Sequence, residues 1–193
     1  IRTVTAAEYR MWLGGSGLGA RIFTDLCPPD TDPLSPTNPL IFMTGPMTGT
    51  NVPGSGRHQV VSKSPLTGIY GEADAGGQWG AELKKAGFDG LVITGRAKQP
   101  VYIHIRDDVI RLHDALQLWG LDTYEADEAL KGVHGNRIAT AGIGPAGENL
   151  VPMAVIIGEG RKGRSSGRGG LGAVMGAKKL KAIVVEGSRP APV

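Results

Sequence analysis

Two catalytic patterns overlap in one stretch of the sequence, "GRKGRSSGRGGLGAVMGAKKLKAIVVEG", from Gly160 to Gly187. Gly167-Arg168-Gly169-Gly170-Leu171-Gly172 spells G-x-G-x-x-G, the spacing that lets backbone approach a dinucleotide pyrophosphate. Gly163-Arg164-Ser165-Ser166-Gly167 spells G-x-S-x-G, the spacing of a serine nucleophile on a sharp elbow. Both chemistries need a strand running directly into the motif. The apolar run before them, "VPMAVII", ends at residue 157, well short of Gly163. The elbow also needs an Asp and a His later in the chain, and neither follows Ser165. The dinucleotide reading needs an acidic residue for a ribose, and only Glu186, at the end of a strand, is available. Both catalytic readings therefore fail on context. No Walker A loop is present, and His58, His104, His113 and His134 lack metal-site spacing. They read as surface or structural residues.

What remains is an anion site. Arg161, Lys162, Arg164 and Arg168 crowd a Gly/Ser loop that feeds a helix start at Gly170. Free N–H groups and the helix dipole favour an anion there, and arginines add bidentate phosphate donors. A second glycine pair, Gly76-Gly77, opens another expected helix, and "VPGSGRH" brings Arg57. The competing reading, that the glycine pairs only let elements cross closely, stays open at this point.

The elements that must position these residues follow from periodicity. Helices are expected over 6–26 (interrupted by Gly14, Gly15 and Gly17), 76–87, 116–133 and 170–180. Strands are expected over 40–45, 57–64, 90–95, 101–108, 137–142, 151–157 and 181–187, and residues 27–39 read as a Pro-rich loop. A repeat also emerges. With Gly80 placed over Gly172, "GAELKKAGFDGLVITG" lies on "GAVMGAKKLKAIVVEG" without a gap. Upstream, "TGPMTGTNVP" resembles "IGPAGENLVP". The halves fall at about 40–96 and 138–188 of a single domain spanning 1–193. An internal duplication of this kind implies pseudo-twofold symmetry and suits a ligand that is itself double.

Composition sets the outer limits. With 193 residues the chain can bury one good core, and its 31 glycines fall between ordinary apolar runs. A net charge of +3 with few aromatics argues against nucleic acid. One cysteine, Cys27, excludes an internal disulfide and any Cys-based zinc or iron–sulfur site from this chain alone. A reducing, cytoplasmic setting fits, and neither a membrane span nor a signal peptide is expected. A start at Ile1 reads as a fragment, a split subunit or an engineered piece.

Four segments, in order, resemble the N-terminal domain of the aldehyde ferredoxin oxidoreductase family. They are "GPMTGTNVPGSGRHQVVSKSPLTG", "GGQWGAELKKAGFDGLVITGRAKQPVYIHI", "IGPAGENLVPMAVI" and "GRGGLGAVMGAKKLKAIVVEG". The resemblance implies an α+β layered sandwich of two related sheets that carries tungstopterin, a tungsten (or molybdenum) ion held by two pterins with Mg2+ bridging their phosphates. It implies oxidation of aldehydes to carboxylic acids, with electrons passing through a [4Fe–4S] cluster to ferredoxin or another electron-transfer subunit. Relatives acting on aromatic acyl thioesters are an alternative, as is a non-redox anion-binding module. By position, Arg57, Gly76, Gly77, Arg164, Gly167, Arg168 and Gly169 would line the pterins, and Asp74 and Ser165 would offer backbone carbonyls to Mg2+. Asp74 stands where relatives often carry Asn, and Ser165 where they often carry Ala. The cluster ligands and the groups nearest the substrate belong to later helical domains of the family, so those domains are expected partners. Homo-oligomerisation is left open.

Overall fold

The computed structural model describes residues 1–190. Helix α1 (Ala6–Trp12) starts at a capping box in which the Glu8 N–H donates to the Thr5 hydroxyl and the Thr5 N–H donates to the Glu8 carboxylate. Leu13, Gly14 and Gly15 then lie at φ 57°, 77° and 49°. Three successive left-handed residues break the expected long helix in two, and α2 runs Gly15–Leu26.

The first sheet contains β1 (Leu40–Thr44), β2 (His58–Lys63), β3 (Tyr70–Ala75) and β4 (Gly90–Ile93), in the order β3-β2-β1-β4 with every neighbour antiparallel. Helix α3 (Trp79–Lys85) connects β3 to β4. The second sheet contains β5 (Val101–Arg106), β6 (Val109–Asp114), β7 (Ala139–Gly142), β8 (Ile156–Gly158), β9 (Arg164–Ser166) and β10 (Leu180–Glu186). Its order is β6-β5-β10-β7-β8-β9, and only β5 and β10 run parallel. Helices α4 (Thr123–His134), α5 (Pro145–Glu148) and α6 (Leu171–Ala177) complete the chain.

Period-two burial arranges the layers. In β1, Ile41 and Met43 face Leu18 and Ile22 of α2. Leu40 and Phe42 face the main core, with Trp79 and Leu83 of α3, Leu171, Val174 and Met175 of α6, and Ile183 and Val185 of β10. The intervening Ala182 and Val184 pack under Leu130 of α4. Thus α2, the first sheet, the α3/α6 pair, the second sheet and α4 stack in that order. The α+β sandwich of two sheets is the fold expected from the sequence. Apart from α5 and a short 3-10 turn (Gly160–Lys162), which the second set adds, the sets β1-β2-β3-α3-β4 and β7-β8-β9-α6-β10 share one strand order, β3-β2-β1-β4 against β9-β8-β7-β10.

Several boundaries differ from expectation. The helix expected over 116–133 starts only after Asp122, whose carboxylate caps Tyr124 and Glu125, because Gly120 sits at φ 94°. Of the strand expected over 151–157, only the last two residues pair: Ala154 is held in a turn to Val151, and Leu150 is left-handed. Three strands, β3, β6 and β9, were not expected at all.

On the α4 side, His104, His113 and His134 cluster, with the His104–His134 ring centroids 4.0 Å apart and the other two pairs 5.8 Å apart. The Tyr102 hydroxyl lies 2.9 Å from His134 Nε2. Burial, then the neighbouring His134 and His113, pushes the His104 pKa down to about 4, and burial also lowers that of His134. The unfolded chain takes up these protons first, near pH 6.5, so this contribution to stability is lost as pH falls from about 6.5 toward 4. The melting temperature is expected to fall through that window, and His104→Phe should shrink the decline. Superimposable pH–melting profiles would refute it.

Candidate anion-binding cradle

The sequence-predicted residues converge where an edge strand of each sheet meets the other, β3 against β9. Arg57, immediately before β2, forms an ion pair with Asp74 near the end of β3. Gly76 and Gly77 follow β3, and Arg164 and Ser165 lie within β9 itself. A Cβ on Gly77 (φ 98°) would stand 2.9 Å from Cγ of Arg164, so the two loops already touch. Gly167, Arg168 and Gly169 continue from β9, and the Ser64 hydroxyl donates to the Gly169 carbonyl at 2.7 Å, tying this loop to the first sheet. All nine expected residues therefore belong to one seam. Arg164 and Arg168 are exposed without an acidic partner among the described residues, whereas Arg161 pairs with Glu128 and Lys162 with Glu159. The extra carboxylate at position 74 is neutralised by Arg57, which removes the repulsion it would otherwise present to a phosphate.

Two findings narrow the expectation. Sequence reasoning missed Glu159, which is 7% exposed and left-handed at φ 60°. Its carboxylate accepts the backbone N–H groups of Gln78 and Trp79 and is joined by the Lys162 ammonium at 3.2 Å. The start of α3 is thus occupied by the chain's own anion, and Gly76 and Gly77 offer space and backbone there rather than a vacant helix end. The only sequence signal was an acidic residue between two glycines, "GEG". The start of α6 is also partly structural: the Gly172 N–H donates to the Ala154 carbonyl at 2.9 Å, and a Cβ on Gly170 (φ 70°) would collide with the Pro152 carbonyl. For Gly170, close crossing is the physical reason for glycine.

The decoy motifs need a corrected argument. Strand β9 ends at Ser166 and does run into Gly167. What fails is direction: β9 is an edge strand, separated from β10 by β8 and β7, and successive antiparallel pairings make β9 and β10 antiparallel. A dinucleotide βαβ unit needs parallel strands.

Among the described residues, no three His, Cys, Asp or Glu side chains are grouped to hold a metal ion, and no helix is long and apolar enough to cross a membrane. Carbonyl ligation is a different mode. Asp74 and Ser165 both lie on edge strands, where part of the backbone has no ladder partner. Cys27 is buried, with Sγ 3.8 Å from Asn38 Oδ1.

The structure defines a two-sheet α+β domain with a basic, glycine-lined seam suited to an anion, and the comparisons with known proteins give the family. The profile described as aldehyde ferredoxin oxidoreductase, N-terminal domain, matches residues 1–187. The chain belongs to this family. It is 49% identical over 185 residues to a tungsten-containing aldehyde ferredoxin oxidoreductase of Pyrococcus furiosus, covering 95% of this chain and 30% of that protein. It is 38% identical to the WOR-like subunit of an aliphatic sulfonate oxidoreductase of the same organism, covering 95% of this chain and 31% of that protein. A solved structure, the active site complex BamBC of benzoyl coenzyme A reductase with 1,5-dienoyl-CoA, superimposes with a TM-score of 0.94 at 40% identity, covering 97% of this chain and 28% of that one. The chain therefore spans about 30% of the length of the curated relatives it matches.

Proposed function

We propose that this chain is the cofactor-holding domain of a tungstopterin-dependent aldehyde oxidoreductase. The observation that carries the reading is the meeting of Arg57, Asp74, Gly76 and Gly77 from one sheet with Arg164, Ser165, Gly167, Arg168 and Gly169 from the other, in a chain of this family. The residues suit a phosphorylated pterin: two arginines without an acidic partner among the described residues, free space beside Gly76, and edge-strand backbone at Asp74 and Ser165. When bound, tungstopterin supplies the two-electron redox chemistry that turns an aldehyde into a carboxylic acid. The protein's part is positioning and charge. Arg164 and Arg168 would neutralise phosphate and the carbonyls of Asp74 and Ser165 would hold Mg2+, while the Arg57–Asp74 pair fixes the edge of β3. The matching order of the two strand sets supports a duplicated cradle, one half about 40–96 and the other about 138–188, for a double ligand.

The remaining helical domains would supply the [4Fe–4S] cluster and the substrate pocket, and ferredoxin in a reducing cytoplasm would take the electrons. The likeness to the benzoyl coenzyme A reductase complex keeps an aromatic acyl thioester as a second substrate class. Elemental analysis of the full-length protein, with pterin fluorescence after oxidation, tests the cofactor reading. About one tungsten (or molybdenum) and two pterins per chain are expected from the family's cofactor. Absence of both metals and pterin in folded protein leaves only the non-redox anion-binding module.

A further inference from the structure

One buried carboxylate crosses the seam from the second sheet to the first. Glu159 follows β8 directly and is 7% exposed. It stands between Gly158 and Gly160 in left-handed backbone, at φ 60°. That region is unfavourable for a side chain, and residues held in it cluster where a site needs them. The Glu159 N–H donates to the Thr140 carbonyl at 3.0 Å, so its backbone is pinned to β7. Its side chain reaches the other sheet, where Oε1 accepts the N–H groups of Gln78 and Trp79. The Lys162 ammonium holds Oε2 at 3.2 Å.

These bonds fix more than a helix end. Gln78, which opens α3, makes no cap with its own side chain, and a local cap would serve α3 alone. A carboxylate brought from the other sheet also sets a distance between the sheets. A Cβ on Gly77 would run into Glu159 Oε1 and stand 2.9 Å from Arg164 Cγ, so the Gly77 turn rests on both side chains. Gly158, next to Glu159, pairs with Arg164 across β8 and β9. The crevice that Gly76, Glu159, Arg164 and Ser166 help to line has no room for a water molecule. Direct contact, not solvent, therefore sets its width.

We propose that Glu159 is a positioning residue for the bound cofactor: by holding the Gln78 and Trp79 N–H groups it fixes the Gly76-Gly77 turn against Arg164, and with it the width of the cradle that receives the phosphorylated pterin. The residue acts through these neighbours and need not touch the ligand. The proposal rests on the cofactor reading above. Gln keeps an acceptor oxygen for the two N–H groups and gives up only the charge, whereas Met keeps the length of the side chain without the acceptor. In the full-length protein produced with tungstate, cofactor loss on dilution is followed by tungsten per chain and released pterin fluorescence. Glu159→Met is expected to lose cofactor roughly tenfold faster than wild type or more, and Glu159→Gln less than about threefold faster, the usual scale for a residue that orients ligand contacts. If the Met variant does not fold, Glu159→Asp makes the same comparison, since its carboxylate is one methylene shorter and Asp suits left-handed backbone. Wild-type retention in the folded Met or Asp variant overturns the role of Glu159 and leaves the cofactor reading standing. So does a Gln variant that loses cofactor as fast as Met, because charge rather than the two hydrogen bonds would then matter. Wild-type protein without tungsten, molybdenum or pterin overturns both.

Discussion

Combining Arg164→Ala with Arg168→Ala in the full-length protein is expected to weaken cofactor retention by about a hundredfold or more. The melting temperature of the cofactor-free protein should stay within a few degrees of wild type. Charge-assisted hydrogen bonds contribute about 1.5–3 kcal/mol each, so two lost arginine–phosphate contacts amount to roughly 3–6 kcal/mol, or two to four decades in affinity. The fold has little stake in either charge. Both side chains are exposed and have no acidic partner among the described residues, so truncation strands no buried ion. Surface changes of that kind usually fall within about 0.5 kcal/mol of neutral. Tungsten per chain after dialysis, beside thermal melts, reads both quantities. Unfolding of the double variant would make the loop a structural element, and unchanged tungsten would move the phosphates elsewhere.

The largest loss of stability is expected from Glu148→Ala. Lys181, in the middle of the second sheet, is 0% exposed, and its ammonium donates to the Leu121 carbonyl at 2.7 Å and to the Glu148 carboxylate. Glu148 also accepts the Gly120 N–H at 2.9 Å. Removing the carboxylate leaves a buried cation with one neutral partner and frees a backbone donor. One-sided rupture of a buried ion pair costs about 3–5 kcal/mol, enough to unfold a marginal domain. Adding Lys181→Met should recover much of the loss, because the penalty arises from the stranded charge. Denaturant melts of the two single variants and the double variant check this as a cycle. A Glu148→Ala protein within 1 kcal/mol of wild type would show that the ammonium finds water.

The seam's residues stand out in the sequence because arginines crowd a glycine-rich loop and the glycine pairs Gly76-Gly77 and Gly169-Gly170 recur ahead of the two aligned segments. The core strands β1 and β10 were legible as apolar runs. The strands β3 and β9, on which the cradle stands, were not. "YGEADA" buries only Gly71, Ala73 and Ala75, and "RSS" buries only Ser166, so neither has an apolar face to detect. Strand β6 is exposed along nearly its whole length and escapes for a related reason. Glu159 was invisible for another reason. Its partners Gln78 and Trp79 lie some 80 residues earlier, and nothing local marks a carboxylate that caps a distant helix. For the dinucleotide motif the strand argument changes, since β9 does precede Gly167 but runs antiparallel to β10, while the lack of a suitably placed acidic residue stands.

Glu159 also bears on the order of assembly. A helix start left for a phosphate would remain electrostatically incomplete until the phosphate arrived, even though the shared core already holds the two sheets together. Here the second sheet delivers its own carboxylate to the helix of the first, with Lys162 balancing the charge. The start of α3 is therefore charge-satisfied by the chain itself, and its folding does not wait on any anionic ligand.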